Sequence, residues 1–291
     1  MSERKLISGP NAPIAKSPLR DVIKHVFWDV DGTLFRKTSA VDNAQLLLLY
    51  NAFYMCRHMP ERAQNPFDVH KNLVFPTLES VPQEVKDELN ALEAHKDRNP
   101  NGKYKSRGAI FVGEFGKDQA YSPKVISTMD YGPILPRDER LIAMFKLLME
   151  RYPHIRHSLM SNDVRESTDS VFLALGLDIS QFLNARVDEL FPPNLNMARG
   201  SKYAAGGVGM LCPYNLRARK PSKDAFRQIL EVAGMESEPE RVIHIGDSEI
   251  KDVIPPKELG MTTVLVWTNK AESSADFNMR EVYGLLELFE R

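Results

Sequence analysis

Apolar residues recur along this chain in two rhythms, and their alternation predicts a layered α/β protein with a parallel sheet. His25-Val26-Phe27-Trp28-Asp29 is a short apolar run closed by a carboxylate, the pattern of a buried parallel strand whose C-terminal end turns polar. Asp31-Gly32-Thr33 then makes a turn. The pattern returns from about His157 to Met160, closed by Ser161-Asn162, and from Arg241 to Ile245, closed by Gly246-Asp247-Ser248. Thr262 to Trp267 predicts a further buried strand. Leu141, Ile142, Phe145, Leu148 and Met149 share one helical face before Tyr152-Pro153, as do Val164, Thr168, Val171, Phe172 and Leu175 on a second helix. Gly176 is a stop for that second helix, and Gly234 for a third that carries Phe226, Ile229, Leu230 and Ala233.

The alternation breaks between about Arg36 and Asp130. Val41 to Met59 reads as helical, and Ser80-Val81-Pro82-Gln83 reads as a capping box opening a charged helix toward His95. The expected organisation is therefore a flexible tail over 1–20, a core from 21–36 and 131–291, and a helical lobe over 37–130 inserted after the first carboxylate strand. Such an insertion can close over a site and exclude bulk water. Residues 190–219 read as a long irregular loop; Gly206-Gly207-Val208-Gly209 lacks the Lys-Ser/Thr that would make a phosphate-cradling turn.

Composition narrows the function classes. A net charge of −1 over 291 residues gives no general pull toward a nucleic acid polymer or an anionic membrane, so any phosphate site must be built locally. Cys56 and Cys212, the two cysteines, indicate neither a disulfide framework nor a cysteine-rich zinc site. The opening segment lacks the apolar stretch of a secretory signal, and the aliphatic run Leu46 to Leu49 is far short of a membrane span. A cytoplasmic location is the expectation.

The chemistry is concentrated where strands end, which is where ligands gather in open α/β sheets. Asp29 and Asp31 sit two apart at a turn, so both carboxylates reach one small volume, and Asp247 adds a third at another strand end. Crowded carboxylates call for a cation, and hard oxygen ligands select Mg2+.

Taken together, Asp29-Val30-Asp31-Gly32-Thr33, Ser161-Asn162, Lys220-Pro221 and Gly246-Asp247-Ser248 followed by Asp252 resemble the four motifs of the haloacid dehalogenase-like superfamily, in the family's order, with Glu258-Leu259-Gly260-Met261 closing the set. The resemblance implies a Rossmann-like three-layer α/β/α core around a parallel sheet, with an inserted helical cap. It implies a magnesium-dependent phosphatase for a small-molecule phosphate: Asp29 the nucleophile, Asp31 the general acid and base, Lys220 a catalytic cation. Ser161, Asn162, Gly32 and Thr33 would form the phosphate-binding group, Asp29, Asp31 and Asp247 the Mg2+ site, and Asp252 would orient Lys220 or a metal-bound water from behind. Lys223 competes with Lys220 for its role but falls in the first turn of a helix capped by Ser222.

Asp31 argues against a dehalogenase, which has no leaving oxygen to protonate. A phosphomutase would use the same residues, and a non-catalytic binding protein on this fold is the reading from another class. The stretch Asp130-Tyr131-Gly132-Pro133-Ile134-Leu135-Pro136, with Leu175-Gly176-Leu177 further on, resembles the pyrimidine 5′-nucleotidase branch, although the polar segment Lys96 to Lys105 departs from it. His244 reads as a core histidine, and Arg36, Arg57 and His58 as solvated charges near the lobe.

Overall fold

The computed structural model describes residues 6–8, 18–94, 99–104, 106–163, 165–177, 210–211, 218–269 and 272–290. The Gly206–Gly209 stretch, Cys212 and most of the 190–219 loop lie outside these. The chain divides into two compact units, one of 1–36, 137–162 and 175–291, the other of 37–136 and 163–174.

The first unit is built on a sheet whose strands are, in chain order, β1 (Leu6–Ser8), β2 (His25–Trp28), β3 (Arg156–Met160), β4 (Met210–Leu211), β5 (Val242–Gly246), β6 (Thr262–Leu265) and β7 (Phe277–Met279). Their spatial order is β1-β7-β6-β5-β2-β3-β4, and all pair in parallel except β1, which runs antiparallel to β7. The expected loose tail is thus corrected at Leu6–Ser8, where the main chain finds its partners along the edge strand, and at Leu19–Val22, which is helical. Met210–Leu211 likewise correct the loop expectation, adding a parallel edge strand beside β3.

Every residue of β2 and β5 is buried, as continuous apolar runs covered on both faces require. On one face Phe27 and Met160 share a core with Phe226, Ile229 and Leu230 of the Lys223–Ala233 helix. On the other, Trp28 meets Phe145 of the Glu139–Arg151 helix at 4.9 Å between ring centres. Helices on both faces of a parallel sheet make the three-layer α/β/α architecture. The caps follow the sequence: Asp138 Oδ1 accepts from Leu141 N at 2.9 Å, Ser222 Oγ accepts from Asp224 N at 3.3 Å, and Gly176 and Gly234 take positive φ where helices stop. β6 ends two residues short of the expected Trp267, because Trp267 itself adopts φ 56° and turns the chain out of the sheet.

The second unit contains the helices Ser39–His58, Gln83–Leu92, Arg107–Phe115 and Tyr121–Ile126, and the Arg165–Leu175 helix groups with it. Ser80 does not cap the helix at Gln83. It exchanges hydrogen bonds with Thr77 in a turn of its own, and Pro82 stands at the cap position. Arg57 and His58 are exposed, as expected; Arg57 pairs with Glu88 and lies over the Phe53 and Phe115 rings, and His58 packs on Tyr54. Buried Asn51 ties the 74–75 segment to the long helix: its Oδ1 accepts from Val74 N and Phe75 N at 2.8 and 2.9 Å, and its Nδ2 donates to Leu47 O and Phe75 O at 2.9 and 3.0 Å. Asn51→Ala should therefore cost about 2–3 kcal/mol of unfolding free energy, since it orphans several buried main-chain groups. A urea titration showing a change under about 0.5 kcal/mol would remove that role. No helix among the described residues is long and apolar enough to cross a membrane.

Candidate active site

The register of the sheet brings the polar strand ends together. Trp28 pairs with Leu159 of β3 and with Ile245 of β5, so Asp29, Ser161 and Asp247 all follow at the same edge of three adjacent strands. The turn after β2 is tight: Thr33 N and Leu34 N both donate to Val30 O at 3.1 Å, and Gly32 has φ 87°. A Cβ on Gly32 would lie 2.2 Å from Asp247 Oδ2, so only glycine lets the two loops approach this closely. Gly246 is as constrained, since a Cβ there would meet Asp252 Cβ at 2.2 Å.

Lys220 is the hub. Its buried ammonium donates to Asp29 Oδ1 at 2.7 Å and to Asp252 Oδ1 at 2.5 Å. Asp29 is fixed at its other oxygen by the Thr33 hydroxyl, which donates to Oδ2 at 3.1 Å. Asp252 also accepts from Ser248 N at 3.2 Å, and His244 Nε2 lies 3.2 Å from its Oδ1. An ionised carboxylate can only accept, so the His244 proton sits on Nε2. The main chain of Lys220 is braced by Asn162, whose Nδ2 donates to Lys220 O at 3.0 Å and whose Oδ1 accepts from Lys220 N at 2.9 Å; Arg219 donates to Asn162 O at 3.0 Å. Lys223 is exposed and pairs with Glu258 at 2.6 Å, away from these carboxylates.

Inside the cluster one ammonium faces two carboxyls. Burial opposes the Lys220 charge, but Asp252 and Asp29 outweigh it and hold the ammonium protonated, above the ordinary lysine range. Burial also opposes ionisation of Asp252, yet Lys220 and His244 pull its carboxyl below the ordinary range. For Asp29 burial wins, with Asp252 adding to it against the pull of Lys220, and the carboxyl is pushed up. His244 is held neutral by burial and by Lys220.

Asp29, Asp247 and Asp252 each offer a carboxylate oxygen, all within 4.8 Å of one another. These hard oxygen donors, with Asp247 exposed to receive an ion, fit Mg2+. Asp31 stands half-buried in the turn, and Ser161 is buried at the end of β3.

The chain superposes on a HAD phosphatase from Thermococcus onnurineus with a TM-score of 0.53, at 16% identity over 91% of this chain and 97% of that one. A family profile described as HAD-hydrolase-like matches residues 217–282, the segment that carries Lys220, Asp247 and Asp252. The chain therefore shares the fold of these proteins, and its 217–282 segment matches the HAD-hydrolase-like family. The chain is also similar to 2-haloacid dehalogenase from Pseudomonas syringae pv. Tomato DC3000 (16% identity, 92% and 99% coverage, TM-score 0.48). CbbY from Rhodobacter sphaeroides in complex with phosphate is comparably similar (13% identity, 92% and 100% coverage, TM-score 0.49). No curated protein matches.

Two participants escaped the sequence reading. His244 was legible as a core strand residue, but its bond to Asp252 depends on how the chain turns after Gly246. Trp267, whose indole Nε1 donates to Thr33 O at 2.9 Å, left no signal beyond an apolar run.

Proposed function

We propose that this protein is a magnesium-dependent phosphatase of the haloacid dehalogenase-like superfamily acting on a small organic phosphate monoester, with nucleoside 5′-monophosphates the class favoured by the Asp130–Pro136 likeness. The observation that carries the reading is the Lys220 ammonium held between Asp29 and Asp252, both buried, at the edge where Asp247 is exposed. Residues 37–130 are read as an inserted cap, and the location as cytoplasmic.

In the first step an Asp29 carboxylate oxygen forms a bond to phosphorus and the ester P–O bond breaks, with Asp31 giving its proton to the leaving oxygen. In the second, Asp31 takes a proton from water, the water oxygen bonds to phosphorus, and the acyl-phosphate P–O bond breaks to regenerate Asp29 and release inorganic phosphate. Lys220 and Ser161 stabilise the charge on the phosphoryl oxygens, and Thr33 and Lys220 fix the orientation of the attacking carboxylate. A bound Mg2+, held by Asp29, Asp247 and the main chain at Asp31, would neutralise phosphoryl charge and align the ester with Asp29. Asp31 separates this chemistry from dehalogenation, in which no oxygen leaves.

The test is inorganic phosphate release with and without Mg2+ across nucleoside monophosphates, sugar phosphates and phosphoamino acids. Asp29→Asn should lower kcat by at least about a thousandfold while the protein stays folded. Undiminished metal-dependent turnover in that variant would refute the nucleophile assignment. Silence of the wild type across the panel would favour phosphoryl transfer within a sugar phosphate or a binding role.

A further inference from the structure

Trp267 is the single non-glycine residue among those described with a positive φ, 56°. That conformation is costly for a bulky side chain, and its neighbours show how it is enforced. Val266 N donates to Gly246 O at 2.9 Å and Thr268 N to Met279 O at 3.1 Å, so the chain is pinned on both sides, to the ends of β5 and β7. A glycine would make this turn without strain, yet the position holds a tryptophan.

What the tryptophan adds is a directed donor. Its indole N–H reaches Thr33 O at 2.9 Å, across 234 positions of sequence. The ring is held edge-on against Tyr283 at 5.9 Å, and the Tyr283 hydroxyl donates to Asp138 Oδ2 at 2.5 Å. Thr33 in turn is fully buried, and its hydroxyl donates to Asp29 Oδ2 at 3.1 Å, opposite the oxygen held by Lys220. A continuous line of contacts therefore runs from Tyr283 through Trp267 and Thr33 to Asp29.

We propose that Trp267 is a positioning residue: its indole N–H anchors the Thr33 carbonyl and so holds the Thr33 hydroxyl where it orients the Asp29 carboxylate. The effect on turnover rests on the phosphatase reading, but the anchor itself does not. Fixing a nucleophile's angle acts on the chemical step more than on binding of the ground state, so the signature is a loss in kcat with KM held.

The experiment uses the full chain. The sequence has two tryptophans, Trp28 and Trp267, so two indole N–H signals appear in a proton–nitrogen spectrum, and Trp267→Phe assigns them. The Trp267 indole proton should exchange with solvent at least about tenfold more slowly than a free indole. Trp267→Phe keeps an aromatic ring of smaller size and loses the donor; kcat should fall about tenfold with KM within about twofold and little change in Tm. Trp267→Gly relieves the backbone and removes the ring, and its kcat should fall at least as far in a folded protein. An unprotected indole in the wild type overturns the proposal, as does wild-type kcat in either variant, or a loss of kcat matched by loss of folded protein. If the wild type releases no phosphate from any ester, the phosphatase reading fails, and indole exchange still decides the anchor.

Discussion

Lys220→Met should lower kcat by at least about a thousandfold and destabilise the fold by about 3–5 kcal/mol at neutral pH. Methionine fills much of the same space, so the loss is one of charge. Lys220 Nζ is the cation that both Asp29 and Asp252 contact, at 2.7 and 2.5 Å, and both carboxylates are buried. Without it two like charges face each other in a dry site, and the Asp29 carboxyl, already pushed up by burial and by Asp252, rises further. Asp29, the proposed nucleophile, is then protonated more readily, and residual activity moves toward alkaline pH. Lys220→Arg should not rescue, because a planar fork cannot place one donor between two carboxylates at this spacing. Adding Asp252→Leu to Lys220→Met should recover stability and leave kcat low, which separates the structural loss from the catalytic one. Lys223→Met, at an exposed pair with Glu258, is the neutral control. Wild-type kcat in Lys220→Met would remove Lys220 from the chemistry.

Lys220 and Lys223 lie three apart at the start of one helix, and the proline after Lys220 and the cap at Ser222 favoured Lys220 in the sequence; the path of the chain puts its ammonium 2.7 Å from Asp29 and that of Lys223 in solvent. Strand identities were readable because a buried parallel strand is a local apolar run, and the strand-end carboxylates were readable because chemistry in such sheets collects there. The partners of those carboxylates were less so. Asn162 reads as a phosphate-binding amide, yet both ends of it are engaged by the Lys220 main chain, a contact between residues 58 apart that no local pattern encodes. The capping box at Ser80 failed for the opposite reason: a competing local turn with Thr77 satisfied the same hydroxyl first. Short edge strands such as Leu6–Ser8 are set by pairing with β7, and their own residues carry too little pattern to announce them.

Mild acid should unfold this chain, with about 5–7 kcal/mol of stability lost between pH 6.5 and pH 4. His25 and His157, on adjacent strands, supply this loss, and His244, also held neutral by burial, adds to it in the same direction. His25 is pushed down to about 3 by burial, His157 and Arg156, and His157 down to about 4 by burial. Both lie below the unfolded value of about 6.5, so as pH falls the unfolded chain takes up protons that the folded chain refuses. The stabilisation is present above about pH 6.5 and is lost progressively toward the folded-state values; these two groups together give a slope near pH 5 of about 3 kcal/mol per pH unit. The geometry explains the refusal. Trp28 Nε1 donates to His157 Nδ1 at 3.1 Å, so a proton arriving at Nδ1 would face another N–H, and His157 Nε2 has no hydrogen-bond partner among the described residues to share a charge with. His25 Nε2 lies 2.8 Å from the Ser158 hydroxyl, with its ring stacked on Phe27 at 4.3 Å. His157→Gln keeps an acceptor for Trp28 without a titrating group and should remove about half the slope. Urea titrations at pH 7, 6 and 5 on both proteins measure the difference, and equal wild-type stability at pH 7 and pH 5 would sink the assignment. Because β2 and β3 lead directly into Asp29 and Ser161, activity should disappear over the same interval as the fold.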